Sequence, residues 1–551
     1  MRTLTAITTL CTPVTLLYCQ FLWNPVVFDD TYFFDGRVHE QYLNKFFSFD
    51  LRWLPYATFE WTRVFFGLDL IWLHLGNLGI HLLSTITLFL FLRRLFENQI
   101  PKHLDQQTKP LPGHWLAFLG ALIFSLHPVS VYAVNYLSQR SILMATLFTL
   151  ITWRCFLEGL LTNRKFWLLI SSASYLLAAL SKEHAIMAPA ISGLLALLVN
   201  NGPRRKLFTL IYPAFILYGF IAIFIVAQVK LNNILGQAYE PMASDQFSKL
   251  GDQLDLTLIY PLSILTQSYL FFEYIWIWLV PSPAWMSIDI YPTFALHLLS
   301  WPETLGFIAF IIYPFIGFRF LLDKGLKGLF GLAMLCPWFL FATELSTVRI
   351  QESFVLYRSY LWMTGIFAAL PFIFQRFSAK QTSVYLLSIA LMAMPLSWLR
   401  LKTFSHPVLL WDDAAKLVEN HEYRPGMERI YYNRGTELIR LKQYDLAMKD
   451  LNKTLILGTE TGYLSAYAFS NRGYIYKSTA RYPNALSDYN SAIQLNPTNP
   501  VLYIAKAEIL AALNDPVGTQ KAFSEACKLG SPLACRNLTV NNGTLIIPKV
   551  K

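Results

Sequence analysis

The sequence predicts an all-α protein in two parts. The first is a polytopic membrane bundle of about eleven spans plus one re-entrant or interfacial helix, and the second is an α-solenoid of helical hairpins. Three observations predict this. Of 551 residues, 55% are hydrophobic, 16% aromatic and only 14% charged, more apolar surface than one soluble core uses. The apolar residues come in runs of about 20, the length that crosses a bilayer. After about residue 403 the composition turns polar, and small residues recur with a period of 34.

The first apolar run, Leu4–Trp23, lacks a small-x-small cleavage end and reads as a retained span or signal anchor. Further runs fall near 72–92, 115–134, 142–161, 167–181, 186–200, 207–227, 304–322, 328–343, 360–375 and 382–399. Cations orient them. Arg93, Arg94, Lys102 and Lys109, then Arg164 and Lys165, then Arg204, Arg205 and Lys206 lie in connections on one side. Arg319, Lys324 and Lys327, then Arg376 and Lys380, continue the pattern, and the positive-inside rule makes that side cytoplasmic. Clustered in this way, the net charge of +11 is a topology signal and implies no nucleic-acid partner. Parity holds only if 256–280 begins and ends outside, hence the re-entrant or interfacial helix; Arg400 and Lys402 oppose the rule. The N-terminus is then cytoplasmic. Residues 1–402 form the transmembrane domain and 403–551 an extracytoplasmic repeat domain.

Within that second domain, Gly473, Ala485, Ala492 and Pro497 match the small or breaking positions of a tetratricopeptide repeat, which let two helices pack closely. Ala507, Thr519 and Ala526 follow in register, and Gly435 and Ala447 precede them after a short insertion around Gly458–Gly462. The repeats run over about 427–460, 466–499 and 500–537. Cys11, Cys19, Cys155 and Cys336 lie in apolar runs as small filler. "EACKLGSPLACRNL" resembles a Sel1-type repeat, in which paired cysteines staple a hairpin. A Cys527–Cys535 bond suits an oxidising compartment, and bonded and reduced forms both stay open. No Cys/His metal pattern occurs. The sequons Asn537-Leu-Thr539 and Asn542-Gly-Thr544 carry little weight, since such triplets are common by chance.

Chemistry concentrates at the predicted outer face. "VVFDDTYFFDGR" puts Asp29 and Asp30 directly after the first span. Alone, such a pair reads as solvated loop acids or a helix N-cap; at a membrane boundary, ionisable groups are a functional hypothesis. The loop that follows, with Arg37, His39, Glu40, Arg52 and Arg63 among aromatics, suits juxtamembrane helices. "LHPVSVYAVNYLSQR", "SKEHAIMAP" and "VRIQESFVLYRSYLW" bring Arg140, Lys182 and Arg358 to the same boundary. Each cation could simply pair with a neighbouring acid, as Lys182 with Glu183. Together they could hold a lipid phosphate or pyrophosphate. Carboxylates and cations on one face then describe a transferase site. An Asp takes the proton of an incoming hydroxyl, that oxygen attacks the anomeric carbon of a lipid-borne sugar, and the cations stabilise the departing phosphate. No Gly-rich loop for a nucleotide sugar is visible.

The runs "FDDTYF", "LRWLPYATFEW", "LHLGNLGIHLL", "LIFSLHPVSVYAVNYLSQRSILMATLF", "LSKEHAIMAP", "LTQSYLFFEYIWIWLVPSP", "VLYRSYLW" and "LLWDDAAKLVEN" stand in one order over about residues 20–500. In that order they resemble the transmembrane and tetratricopeptide-repeat glycosyltransferases of the GT-C fold, the O-mannosyltransferases and their bacterial relatives. The resemblance implies a catalytic base at Asp29 or Asp30, with Asp29 preferred. It also implies a polyprenyl- or dolichyl-phosphate sugar donor and an exported protein acceptor, glycosylated on Ser or Thr, docked on the repeats. Lys182, Arg358 and Arg140 would hold donor phosphate, and His127, Glu183, Arg52 and Glu352 would line the same cavity. No metal site is assigned, although Asp29, Asp30 and His127 could hold a divalent ion. Tyr132 stands where many relatives carry Glu, and the short repeat array points to a bacterial inner-membrane protein with periplasmic repeats. A non-catalytic, membrane-anchored tetratricopeptide scaffold for an envelope complex is the second reading. A lipid-linked glycan ligase or a transporter is a third, the transporter disfavoured because its ionisable groups would more often sit mid-span.

Overall fold

The computed structural model describes residues 3–539 except 36–37, 43–46, 101–109, 232–233, 239, 241, 252–253, 420 and 459–461. Arg37, the side chain of His39, Lys102, Lys109 and the sequon at Asn542 lie outside the described residues. Among those described, the chain is helical throughout, with one isolated antiparallel bridge between Ile290 and Phe354 and no strand. It divides into two units. Met1–Tyr239 and Leu254–Leu410 form the first; Glu240–Gln253 and Trp411–Lys551 form the second.

Among the described residues, seven helices of the first unit are long and apolar enough to cross a membrane: Thr3–Phe21, Leu70–Gln99, Leu137–Thr162, Arg204–Leu231, Glu303–Leu322, Gly325–Ser346 and Ala379–Thr403. The pair Gly113–Leu126 and Pro128–Val134, bent by 62°, makes up to eight. The bend has a local cause. Proline pushes its predecessor into extended backbone, and His127 has ψ 133°. Its ring nitrogen then accepts from the Val129 N–H and caps the short helix that follows.

The other predicted runs take different forms. Residues 167–181 and 186–200 become the shorter apolar helices Lys165–Ser181 and Glu183–Val199. The 360–375 run breaks into Ser359–Trp362, a 3-10 stretch Met363–Ala369 and Leu370–Ile373. Gly365 sits there because a Cβ would lie 2.3 Å from Cys336 Sγ. The run at 256–280 is one unbroken helix, Ile259–Leu279. Its Ser263, Thr266, Gln267 and Ser268 are buried, and Gln267 donates to the Ser353 carbonyl.

In the second unit, three hairpins follow one another: Glu428–Arg440 with Tyr444–Leu457, Tyr463–Ser478 with Tyr482–Leu495, and Pro500–Ala512 with Pro516–Lys528. The predicted small residues Ala447, Ala485, Ala492, Ala507 and Ala526 are all fully buried. A bidentate pair, Arg434 to Asp450 at 2.8 Å, locks the first hairpin, and Arg472 to Asp488 repeats it in the second. Cys527 and Cys535 are disulfide-bonded, stapling the last described helix, Pro532–Thr539, to the one before it.

Candidate functional site

A polar cavity of about 360 Å³ opens in the first unit. Asp29, Arg52, Lys182, Glu183, Glu352 and Arg358 line it, from four stretches of chain. Of the residues singled out from sequence, these six are brought together; Asp30, Arg140 and His127 are not.

The two aspartates separate. Both open the short helix Asp29–Asp35. Asp30 turns inward and is fully buried, accepting the backbone N–H of Leu137 on Oδ2 at 2.9 Å and that of Ser138 on Oδ1 at 2.7 Å. Burial raises its carboxyl to about 7, against the lowering effect of those two bonds. Asp30 therefore pins the first loop to the turn at Leu137–Gln139. Asp29 is left on the cavity wall beside Ser138 and Gln139. The pair is thus one cavity carboxylate and one anchor, so of the two residues expected to be catalytic only Asp29 lines the cavity.

Arg140, expected at the donor phosphate, is not among the lining residues. Only 2% of it is exposed, and its guanidinium donates to Asn77 Oδ1 at 2.8 Å, the Leu73 carbonyl at 2.8 Å and Thr58 Oγ1 at 3.2 Å. Its carbon lies 3.8 Å above the Phe59 ring. With its donors engaged by neutral acceptors between helices, Arg140 holds the wall from behind. His127 is elsewhere, stacked on Trp278 with centroids 4.2 Å apart and bonded at Nε2 to that residue's carbonyl at 3.1 Å. It therefore makes no metal set with Asp29 and Asp30; among the described residues no three His, Cys, Asp or Glu side chains gather as one.

The cations of the cavity are held differently from one another. Arg52, in left-handed backbone (φ 61°) ahead of helix Trp53–Phe66, grips Glu183 with two bonds of 2.6 and 3.2 Å. Arg358 donates to Glu344 at 2.9 Å and to Glu352 at 2.8 Å. Lys182 stands apart. Its Nζ meets neutral oxygens, Gln139 Oε1 at 3.0 Å and Ser141 Oγ at 3.5 Å, and lies 4.9 Å above the Tyr357 ring. Burial, with Arg52 and Arg358 nearby, lowers its ammonium to about 7 despite Glu183 and Glu344. A buried cation on neutral partners in a polar cavity is suited to an incoming anion.

Sequence reasoning gave no cavity role to Glu344, His184, Arg349, Tyr357 or Tyr56. Glu344 had a usable signal: it is the one ionisable residue in the apolar run "LCPWFLFATEL". Beside the polar cavity lies an apolar groove of about 440 Å³, walled by Ile186, Met187, Ile225, Val226, Val229 and Ala342 among others. The two share Arg52, Glu183, His184 and Arg349. A charged chamber thus adjoins a greasy one through four ionisable side chains.

Comparison with known proteins bears on the second unit. Residues 466–499 and 428–455 match models of the tetratricopeptide repeat. These hairpins are tetratricopeptide repeats. No curated protein matches the chain. Among solved structures, the crystal structure of the APC/C hetero-tetramer Cut9-Hcn1 aligns over 96% of this chain and 98% of that one, at 11% identity and a TM-score of 0.24. That score is too low to bear on the fold.

Proposed function

We propose that the chain is an integral membrane glycosyltransferase of the GT-C type. It moves a sugar from a polyprenyl-phosphate donor to Ser or Thr of an exported protein, with the repeats docking the acceptor. The observation that carries this is the placing of Asp29, Lys182 and Arg358 around one cavity that shares its rim with an apolar groove. A lipid phosphate needs both environments, charge for its head and a dry surface for its chain.

In this reading, Asp29 takes the proton of the acceptor hydroxyl as its oxygen bonds to the anomeric carbon. The bond from that carbon to the phosphate oxygen breaks, and its electron pair leaves on the lipid phosphate. Lys182 and the arginines stabilise the charge that grows there. The proton passes from Asp29 to water. Tetratricopeptide repeats generally mediate protein contacts, which fits a protein acceptor, and several long apolar helices fit a bacterial inner-membrane location with the repeats periplasmic.

The repeats alone equally fit a non-catalytic scaffold, and Asp29 discriminates the two. Mass spectrometry of exported proteins from cells with the wild-type chain, with D29N and without the chain is the test. A sugar mass on specific peptides, absent in the latter two samples, is expected. If D29N restores everything the wild-type chain does, the scaffold reading replaces the enzyme.

A further inference from the structure

Glu344 lines neither cavity nor groove but contacts His184 and Arg349, which line both. It is fully buried, and three basic side chains approach it, one imidazole and two guanidinium groups. His184 Nε2 is 2.8 Å from Oε1, Arg358 Nη1 2.9 Å from Oε2, and Arg349 Nε 3.6 Å from Oε2. All three partners line the polar cavity, and His184 and Arg349 also line the apolar groove. The contacts continue outward on both sides. His184 Nδ1 is 3.6 Å from Glu183, which Arg52 grips, and Arg358 reaches Glu352 at 2.8 Å. Acid and base alternate around the chamber, and Glu344 is the carboxylate that His184, Arg349 and Arg358 all approach.

A buried carboxylate is strongly destabilising unless paired, and a buried ion-pair set is often no more stable than hydrophobic side chains replacing the whole set. Its presence here is explained by what it holds. Arginine side chains have long, flexible stems, and a fixed carboxylate behind them sets the direction of the fork. Pre-set donors cost no reorganisation when an anion arrives.

We propose that Glu344 is the positioning residue of this site: it fixes Arg349, Arg358 and His184 where the head of a lipid phosphate meets its chain. The inference rests on the lipid-phosphate reading above. Glu344 touches no ligand and acts through its partners.

The sign of one measurement separates placement from charge. Removing a negative charge near an anion site should, by Coulomb attraction alone, tighten anion binding. Loss of placement should weaken it. The experiment titrates full-length protein in nanodiscs with a polyprenyl monophosphate bearing no sugar, comparing wild type with E344Q, E344D and R349K. E344Q should bind at least tenfold more weakly, measured well below its melting temperature, which the unpaired arginines should lower. E344D, which keeps the carboxylate, should recover part of the loss. If E344Q does not fold, R349K carries the test: it keeps the charge and loses the fork, and should also lose about tenfold. Unchanged or tighter binding by folded E344Q, or unchanged binding by R349K in its place, overturns the proposal. A wild-type chain that does not bind the probe overturns the lipid-phosphate reading and this inference together. A wild-type chain that binds beside an unaffected E344Q overturns this inference alone.

Discussion

Asp29 and Asp30 differ by one position and by almost everything that matters chemically. Asp30 accepts two backbone N–H groups in a dry site. An amide there can accept from one of them, but its NH2 would face the other donor. Leaving a buried donor unmatched costs about 1–3 kcal/mol. D30N should therefore lower the unfolding free energy by about that much, while D29N on the cavity wall should leave the melting temperature unchanged and abolish transfer. Thermal unfolding of both variants in detergent, beside a transfer assay, checks this split. Lys182 adds a pH dependence. Its ammonium, lowered to about 7 by burial, is charged below that value and neutral above it. Affinity for a lipid monophosphate should fall as pH rises beyond neutrality, with a midpoint above 7 because the bound anion favours the charged form. K182R, which stays charged, should flatten the curve between about pH 6.5 and 9. A wild-type curve that is flat or rises with pH would remove Lys182 from the phosphate site. The sequence makes these residue types visible and places them at one boundary. It does not show which way each points: the inward turn of Asp30 depends on amides more than 100 positions away, and the engagement of Arg140 depends on Asn77 and Leu73, 63 and 67 positions away.

At the scale of the hairpin, the repeats carry a backbone signature besides their small residues. Each turn between paired helices puts one residue in left-handed backbone: Lys442 (φ 58°), Ala480 (φ 56°) and Asn514 (φ 58°). A side chain with a Cβ costs roughly 1–2 kcal/mol there, glycine nothing, and asparagine less than most. Ala480→Gly should raise the stability of the second unit by about 1 kcal/mol, and Asn514→Gly should be close to neutral, both read from urea unfolding of the full chain followed by the repeat signal. Equal effects at the two positions would mean the strain is relieved in some other way. Small-residue spacing made the hairpins legible because close helix packing demands small side chains at fixed intervals. The broken span was less legible. "LWMTGIFAALPFIF" is apolar enough to read as one helix, but Gly365 packs against Cys336 and Pro371 starts a new helical turn. Hydropathy measures transfer to lipid and is blind to such a break.

For the whole molecule, the chain path holds something composition does not reveal. Glu240–Gln253, inside a connection of the apolar unit, belongs to the repeat unit. Lys249 there lies 3.4 Å from Glu428 and bonds to the Tyr423 hydroxyl at 2.6 Å, and Asp245 accepts the N–H of Tyr463 at 2.5 Å. A polar octapeptide, Ala243–Leu250, has no periodicity long enough to announce a partner some 200 residues away. This sharing of chain also constrains topology. A connection between membrane helices that packs on the repeats must lie on the same side of the membrane as they do, so one measurement on the repeats orients both. The Cys527–Cys535 bond supplies it. Disulfides persist in oxidising compartments and are kept reduced in the cytosol. If the repeats face the periplasm, Cys527 and Cys535 should resist alkylation in intact cells and take up two alkyl groups only after reduction, read by peptide mass spectrometry. Cells lacking their thiol-oxidising machinery should lose that protection. Should both thiols alkylate without reduction in normal cells, the repeats and the 240–253 connection belong on the cytosolic side, and the reading of an exported acceptor docked on periplasmic repeats can no longer be sustained.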